Sequence, residues 1–210
     1  MNAATRVAGL FGGSFDPPHL AHLALARCAL EQLALDELVW LPARQSPHKG
    51  DRLPASGADR VAMLRGLIDG ESRFSVDARE LDRAGPSFTV DTLRALHAEQ
   101  PATRWWLVIG QDQYARLDTW HDWRGIVALA GLAVAARAGE PVRAAPGLAG
   151  VEHARHVLRM APHPHSATAV RERAAAGLDV TALVGASVAR YIADHHLYRA
   201  APPARNEQQN

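Results

Sequence analysis

"GLFGGSFDPPHLAH", residues 9–22, joins an apolar run to a helical one. The run that leads into it, "RVAGLF" at 6–11, is short and ends at Gly12 and Gly13, the pattern of a buried strand. The stretch that follows, "LAHLALARCALEQL" at 20–33, carries apolar residues at helical spacing. Gly12 and Gly13 let the backbone turn tightly and approach a ligand closely. The helix start offers unpaired N–H groups and the positive end of a dipole, a place for phosphate. His19 and His22 lie three residues apart and so share one helix face. The spacing is neither a GxGxxG dinucleotide loop nor a Walker loop. The HxxH pair lacks the third ligand of a zinc site. On these residues alone, a phosphate site and a capped helix with two partly exposed histidines are equally open.

Working outward, strands and helices alternate. Strands are expected at 36–42, 74–76, 104–110, 132–137 and 156–160, and helices at 58–69, 87–100, 166–177 and 181–197. Ser87 is the expected cap of the helix at 87–100. The apolar stretch "IVALAGLAVAA" at 126–136 is too short to span a membrane and suggests a turn at Gly131. This alternation predicts an α/β fold with a mostly parallel sheet. In such a sheet the ligand sits outside the carboxyl ends of the strands, near a switch point. Gly12–Gly13, the 45–49 loop, Gly110–Asp112 and Arg137 all follow strands and should converge there.

Composition narrows the function. Nearly half of the 210 residues are apolar (48%), enough for a real core, and the net charge of +1 comes without a long basic run. A broad nucleic-acid groove is therefore not expected. One cysteine, Cys28, rules out an intrachain disulfide framework and suits a cytoplasmic home. The N-terminal residues do not read as a signal peptide, so neither export nor membrane attachment is expected. Residues 1–200 read as one domain, and 201–210 as a disordered tail.

Other stretches carry candidate chemistry. "SATAVR" puts Ser166 and Thr168 hydroxyls at a helix start and the Arg171 guanidinium one turn on, a donor set for phosphate or a simple cap beside a solvated arginine. "SPHK" places His48 and Lys49 in a loop that spacing alone reads as solvated. Asp112 follows a strand and can accept from ribose hydroxyls, cap a helix, or both. Trp105, Trp106 and Trp123 are core candidates, whereas Trp120 lies in the polar stretch "LDTWHDW". His163, His165, His195 and His196 read as incidental surface residues.

The full string "GGSFDPPHLAH" resembles the signature of the nucleotidyltransferase superfamily with a (H/T)xGH motif. Within it, "SPHK", "PSFTVDTL", "VIGQD", "TWHDW", "AVAAR" and "HSATAVRERAAAG" occur in the order found in the bacterial nicotinate-nucleotide adenylyltransferases. The likeness runs from Val7 to Tyr198. It implies a Rossmann-like, doubly wound sheet with helices on both faces. It also implies adenylyl transfer from ATP to nicotinate mononucleotide, with Mg²⁺ carried mainly by the ATP phosphates. His19, His22, Lys49 and Arg171 would act on the phosphates. Gly12, Gly13, Ser14, Phe15, Gly110, Asp112, Ser166 and Thr168 would complete the ATP site. His48, Lys49, Thr89, Trp120, His121 and Arg137 would hold the mononucleotide, with Trp120 stacked on its ring. Three positions depart from the pattern: Ala21 replaces a glycine, His165 an apolar residue, and His121 an aromatic one. An adenylyltransferase for nicotinamide mononucleotide or phosphopantetheine, or a non-catalytic nucleotide sensor, is the alternative. "PSFTVDTL" and "TWHDW" argue against the phosphopantetheine enzyme, and the chain length against a tRNA synthetase.

Overall fold

The computed structural model describes residues 5–44, 55–136, 141–161, 163 and 165–199. His48, Lys49, Arg137 and the tail at 201–210 lie outside the described residues. The strands are β1 (Val7–Gly13), β2 (Glu37–Pro42), β3 (Phe74–Val76), β4 (Arg104–Gly110), β5 (Ala130–Ala135) and β6 (Arg155–Leu158). The helices are α1 (Leu20–Gln32), α2 (Gly57–Leu67), α3 (Arg79–Asp82), α4 (Thr89–Glu99), α5 (Gln111–Tyr114), α6 (Trp123–Leu129), α7 (Ala167–Ala175), α8 (Thr181–Val184) and α9 (Ala186–Asp194). The six strands form one sheet in the order β3-β2-β1-β4-β5-β6, and every pairing is parallel. This is the doubly wound order, and the chain reverses direction across the sheet between β1 and β4.

Alternation along the strands builds two cores. Phe11, Leu38, Trp40, Trp106, Val108 and Ala133 face α1, α2, α7 and α9. Their neighbours Leu10, Val39, Leu41, Trp105, Leu107, Leu132 and Val134 face α4 and α6. Successive side chains of a strand point to opposite faces, so a sheet buried on both sides reads as a continuous apolar run.

Four local expectations change. Neither Gly12 nor Gly13 has a positive φ; both belong to β1, and the left-handed residue is Phe15, at φ 45°. Gly13 is required because a Cβ there would lie 2.9 Å from Cζ of Phe15. The run at 126–136 is not a turn between like segments: α6 passes directly into β5, and Gly131 lies in the strand, where a Cβ would come within 2.7 Å of the Trp106 ring. The helix at 181–197 divides at Gly185, whose φ of 81° breaks α8 from α9. Ser87 does not cap α4; Phe88 holds that position, and the Ser87 hydroxyl accepts from Arg83 at 2.9 Å.

Candidate active site

His19 is the N-cap of α1, and its residue is 6% exposed. Its backbone N–H donates to Nδ1 of His22 at 3.2 Å. A neutral imidazole that accepts at Nδ1 carries its proton on Nε2, so His22 presents a donor without needing a charge. The two rings stack with centroids 3.7 Å apart. Phe15 backs the His22 ring edge-on at 5.1 Å and itself packs on Phe11 and Trp40, each 5.4 Å away. The aromatic pile under the histidines thus fixes their orientation.

Burial lowers the His19 pKa from 6.5 to about 4, with the charge of His165 as the second cause. Burial, then the charge of His19, lowers that of His22 well below its ordinary value. Both rings are neutral near pH 7. A histidine depressed in the folded state binds fewer protons there than in the unfolded chain. Its contribution to stability is present above pH 6.5 and is lost as the pH falls toward 4. Below pH 6.5 the expected loss is about 1.4 kcal/mol per pH unit from one such group. Urea unfolding of the wild type at pH 7.5 and 5.5 should show this drop, and His19→Asn should show a smaller one. Equal pH dependence in both proteins would contradict the assignment.

α7 faces the same place from the far end of the chain. Ser166 caps α7, its Oγ accepting from the Ala169 N–H at 3.2 Å, which leaves the hydroxyl hydrogen free to donate. Nη1 of Arg171 donates to the Asp16 carbonyl at 2.8 Å, and Nη2 to Thr168 Oγ1 at 3.2 Å. Ser166, Thr168 and Arg171 are thereby brought against the β1–α1 loop. His165, read from sequence as incidental, affects His19, and its Nδ1 is buried without a hydrogen-bond partner among the described residues. The sequence marks it only as a departure from the family pattern; its place beside His19 follows from the tie of Arg171 in α7 to the Asp16 carbonyl of the β1–α1 loop.

The other side of the switch point holds a pocket of about 230 Å³ lined by Ser87, Phe88, Thr89, Trp120, His121 and Ile126. "PSFT" and "TWHD", 30 residues apart in sequence, meet here. Thr89 is the first residue of α4, so its N–H has no acceptor within the helix. Among the described residues, the His121 N–H donates to no backbone carbonyl. The Phe88 and His121 rings lie 4.2 Å apart at 30°, so Phe88 is a wall of this pocket that sequence reading missed. Trp105, Trp106 and Trp123 are buried as expected, and Trp120 is only half-buried. Gly110 caps α5, not Asp112; Asp112 stands exposed in the first turn, beyond the carboxyl end of β4.

A parallel sheet with this strand order, two stacked imidazoles at the start of α1, and a hydroxyl–guanidinium helix start opposite define a nucleotide-binding protein of the nucleotidyltransferase class. The family model described as "Cytidylyltransferase-like" matches residues 10–173. A protein of Methylibium petroleiphilum named "Probable nicotinate-nucleotide adenylyltransferase" is 46% identical over 97% of both chains. One of the same name from Bordetella petrii is 46% identical over 91% of this chain and 98% of its own. The chain belongs to the nicotinate-nucleotide adenylyltransferase family. The nicotinic acid mononucleotide adenylyltransferase of Plasmodium falciparum, solved with NaAD, shares the fold at a TM-score of 0.72 and 16% identity, over 92% of this chain and 97% of that one.

Proposed function

We propose that the protein transfers the adenylyl group of ATP to nicotinate mononucleotide, releasing pyrophosphate and forming nicotinate adenine dinucleotide, a precursor of NAD. The observation that carries the reading is the stacked, neutral histidine pair at the start of α1, faced by the Ser166–Arg171 turn of α7.

The mononucleotide phosphate is a nucleophile near neutral pH, so no general base is needed. One of its oxygens attacks the α-phosphorus, the bond to the β-phosphate oxygen breaks, and the electron pair leaves with pyrophosphate. The protein must align the two phosphates and neutralise charge on the leaving group. His22 Nε2–H, His19, the Ser166 and Thr168 hydroxyls and Arg171 are suited to that, with Lys49 as a further cation. Ser14, Phe15, Gly12 and Gly13 border the same phosphates, and a Cβ at Gly12 would meet no protein atom within 4 Å. Gly110 and Asp112 are assigned to the adenosine side. Thr89, Trp120 and His121, with His48 and Arg137, are assigned to the mononucleotide.

The metal reading also fits the donors present. Among the described residues no group of three or more His, Cys, Asp or Glu is arranged for a metal ion. The nearby Asp16 carboxylate already accepts from the Ala55 N–H and the Tyr198 hydroxyl. In this proposal Mg²⁺ would be held by triphosphate oxygens and water, where it neutralises phosphate charge. Among the described residues no helix is long and apolar enough to cross a membrane. A cytoplasmic location is part of the proposal.

The test is pyrophosphate release with ATP and each of nicotinate mononucleotide, nicotinamide mononucleotide and phosphopantetheine. Fastest turnover is expected with the first, and equal or faster turnover with phosphopantetheine would overturn the reading. Arg171→Ala is expected to weaken ATP binding about tenfold, the loss of one charge-assisted bond. Mononucleotide affinity by calorimetry should stay within about twofold. Equal loss of both would mean that the Asp16 tie is its main role.

A further inference from the structure

Arg60 of α2 is 5% exposed, yet no carboxylate hydrogen-bonds it among the described residues. Its Nη1 donates to the Ser14 carbonyl at 2.8 Å and to the Ala43 carbonyl at 2.7 Å, and its Nε to the Ala55 carbonyl at 3.3 Å. One guanidinium thus joins the end of β1, the end of β2 and the entry to α2. Burial lowers its pKa, while Asp16 and then Tyr198 act in the opposite sense. Asp16 completes the knot from the other side: its Oδ1 accepts from the Ala55 N–H at 3.1 Å and from the Tyr198 hydroxyl at 2.7 Å.

The contact with Ser14 has a consequence for the next residue. The Ser14–Phe15 peptide is trans, so its C=O and N–H point in opposite directions. With the carbonyl held toward Arg60, the Phe15 N–H points away from it, and it donates to no backbone carbonyl among the described residues. Phe15 has φ 45°, a left-handed conformation that a bulky side chain adopts only when its surroundings impose it. We propose that Arg60 is a positioning residue for adenylyl transfer: by fixing the Ser14–Phe15 peptide plane, it aims the Phe15 N–H at the triphosphate. This rests on the assignment of ATP to the β1–α1 loop. A lysine cannot replace it, because an ammonium is a point donor and cannot reach carbonyls on three segments at once.

Arg60→Lys and Tyr198→Phe each take bonds from the same knot, but only the first touches the Ser14–Phe15 peptide. At a temperature where both are folded, Arg60→Lys should lower kcat about tenfold with KM for the mononucleotide within twofold. Tyr198→Phe should keep kcat within twofold whatever its Tm. Unchanged kcat in Arg60→Lys would overturn the proposal, as would an equal loss in Tyr198→Phe. If Arg60→Lys does not fold, the wild type decides. With ¹⁵N-phenylalanine labelling, the Phe15 amide resonance should move downfield and exchange more slowly when α,β-methylene-ATP is added. A Phe15 amide that does not respond overturns the proposal, even where the wild type forms nicotinate adenine dinucleotide. Failure of the wild type to form that product would instead count against the functional reading.

Discussion

His22→Ala is expected to lower kcat roughly 30- to 1,000-fold, about 2–4 kcal/mol of barrier, the range for removing one preorganised donor. The donor in question is Nε2–H, whose proton is placed by the His19 amide donating to Nδ1. It needs no protonation step, and the enclosing Phe11, Phe15 and His19 rings leave it little freedom. KM for ATP should change less than kcat, because the leaving oxygens gain charge mainly in the transition state. His19→Ala should lose a similar amount. The stacked pair acts as a unit, so the double variant should cost little more than either single one. The measurement is initial-rate pyrophosphate release with both substrates saturating, alongside circular dichroism. Near wild-type turnover in folded single variants would remove the histidines from the mechanism.

The part of this site that sequence exposes is the part written in local chemistry. A strand, two glycines and a helix with histidines on its first turn are contiguous, and each element has its own period and punctuation. The β1–α1 and α7 halves could therefore be read separately. Their meeting could not, since it depends on α7 coming against the β1–α1 loop, tied there by Arg171 on the Asp16 carbonyl. His165 was misread for that reason. Arg60 sits in "ADRVAMLRG", where a charge every few residues reads as a solvated face, and only the tertiary fold buries it under three carbonyls. The junction of α6 and β5 is illegible for another reason. Ala, Leu and Val suit a buried helix or a buried strand equally, and no breaker separates them. Gly131 looks like such a breaker but is glycine because Trp106 fills the space above it. Phe88 was passed over because an apolar residue in the first turn of the helix expected at 87–100 is ordinarily packing, whereas here it faces His121 across a pocket.

That pocket sets the second large effect, preference for nicotinate mononucleotide over its amide by roughly ten- to a hundredfold in kcat/KM. The N–H of Thr89, at the positive end of α4, and that of His121 are two backbone donors beside one cavity. A carboxylate accepts from both, and bonds to an ionised acceptor are roughly twice as strong as neutral ones. An amide offers one acceptor and turns an NH₂ toward the other donor. The buried N–H left unpaired costs about 1–3 kcal/mol, which is the predicted ratio. His121 is suited to both roles: among the described residues its N–H donates to no backbone carbonyl, and its ring packs on Phe88 at 4.2 Å. Trp120, which lines the same pocket and is proposed to stack on the pyridine ring, would contribute by a different force. Stacking does not distinguish a charged from a neutral pyridine substituent in the way a hydrogen bond does. Trp120→Ala should therefore lower kcat/KM for both mononucleotides while leaving their ratio within about threefold of wild type. Measuring kcat/KM for acid and amide in the two proteins separates the contributions. If the wild type uses the amide as well as the acid, the two amides do not read the carboxylate. If Trp120→Ala loses the ratio along with the rate, the indole is what orients the ring toward them.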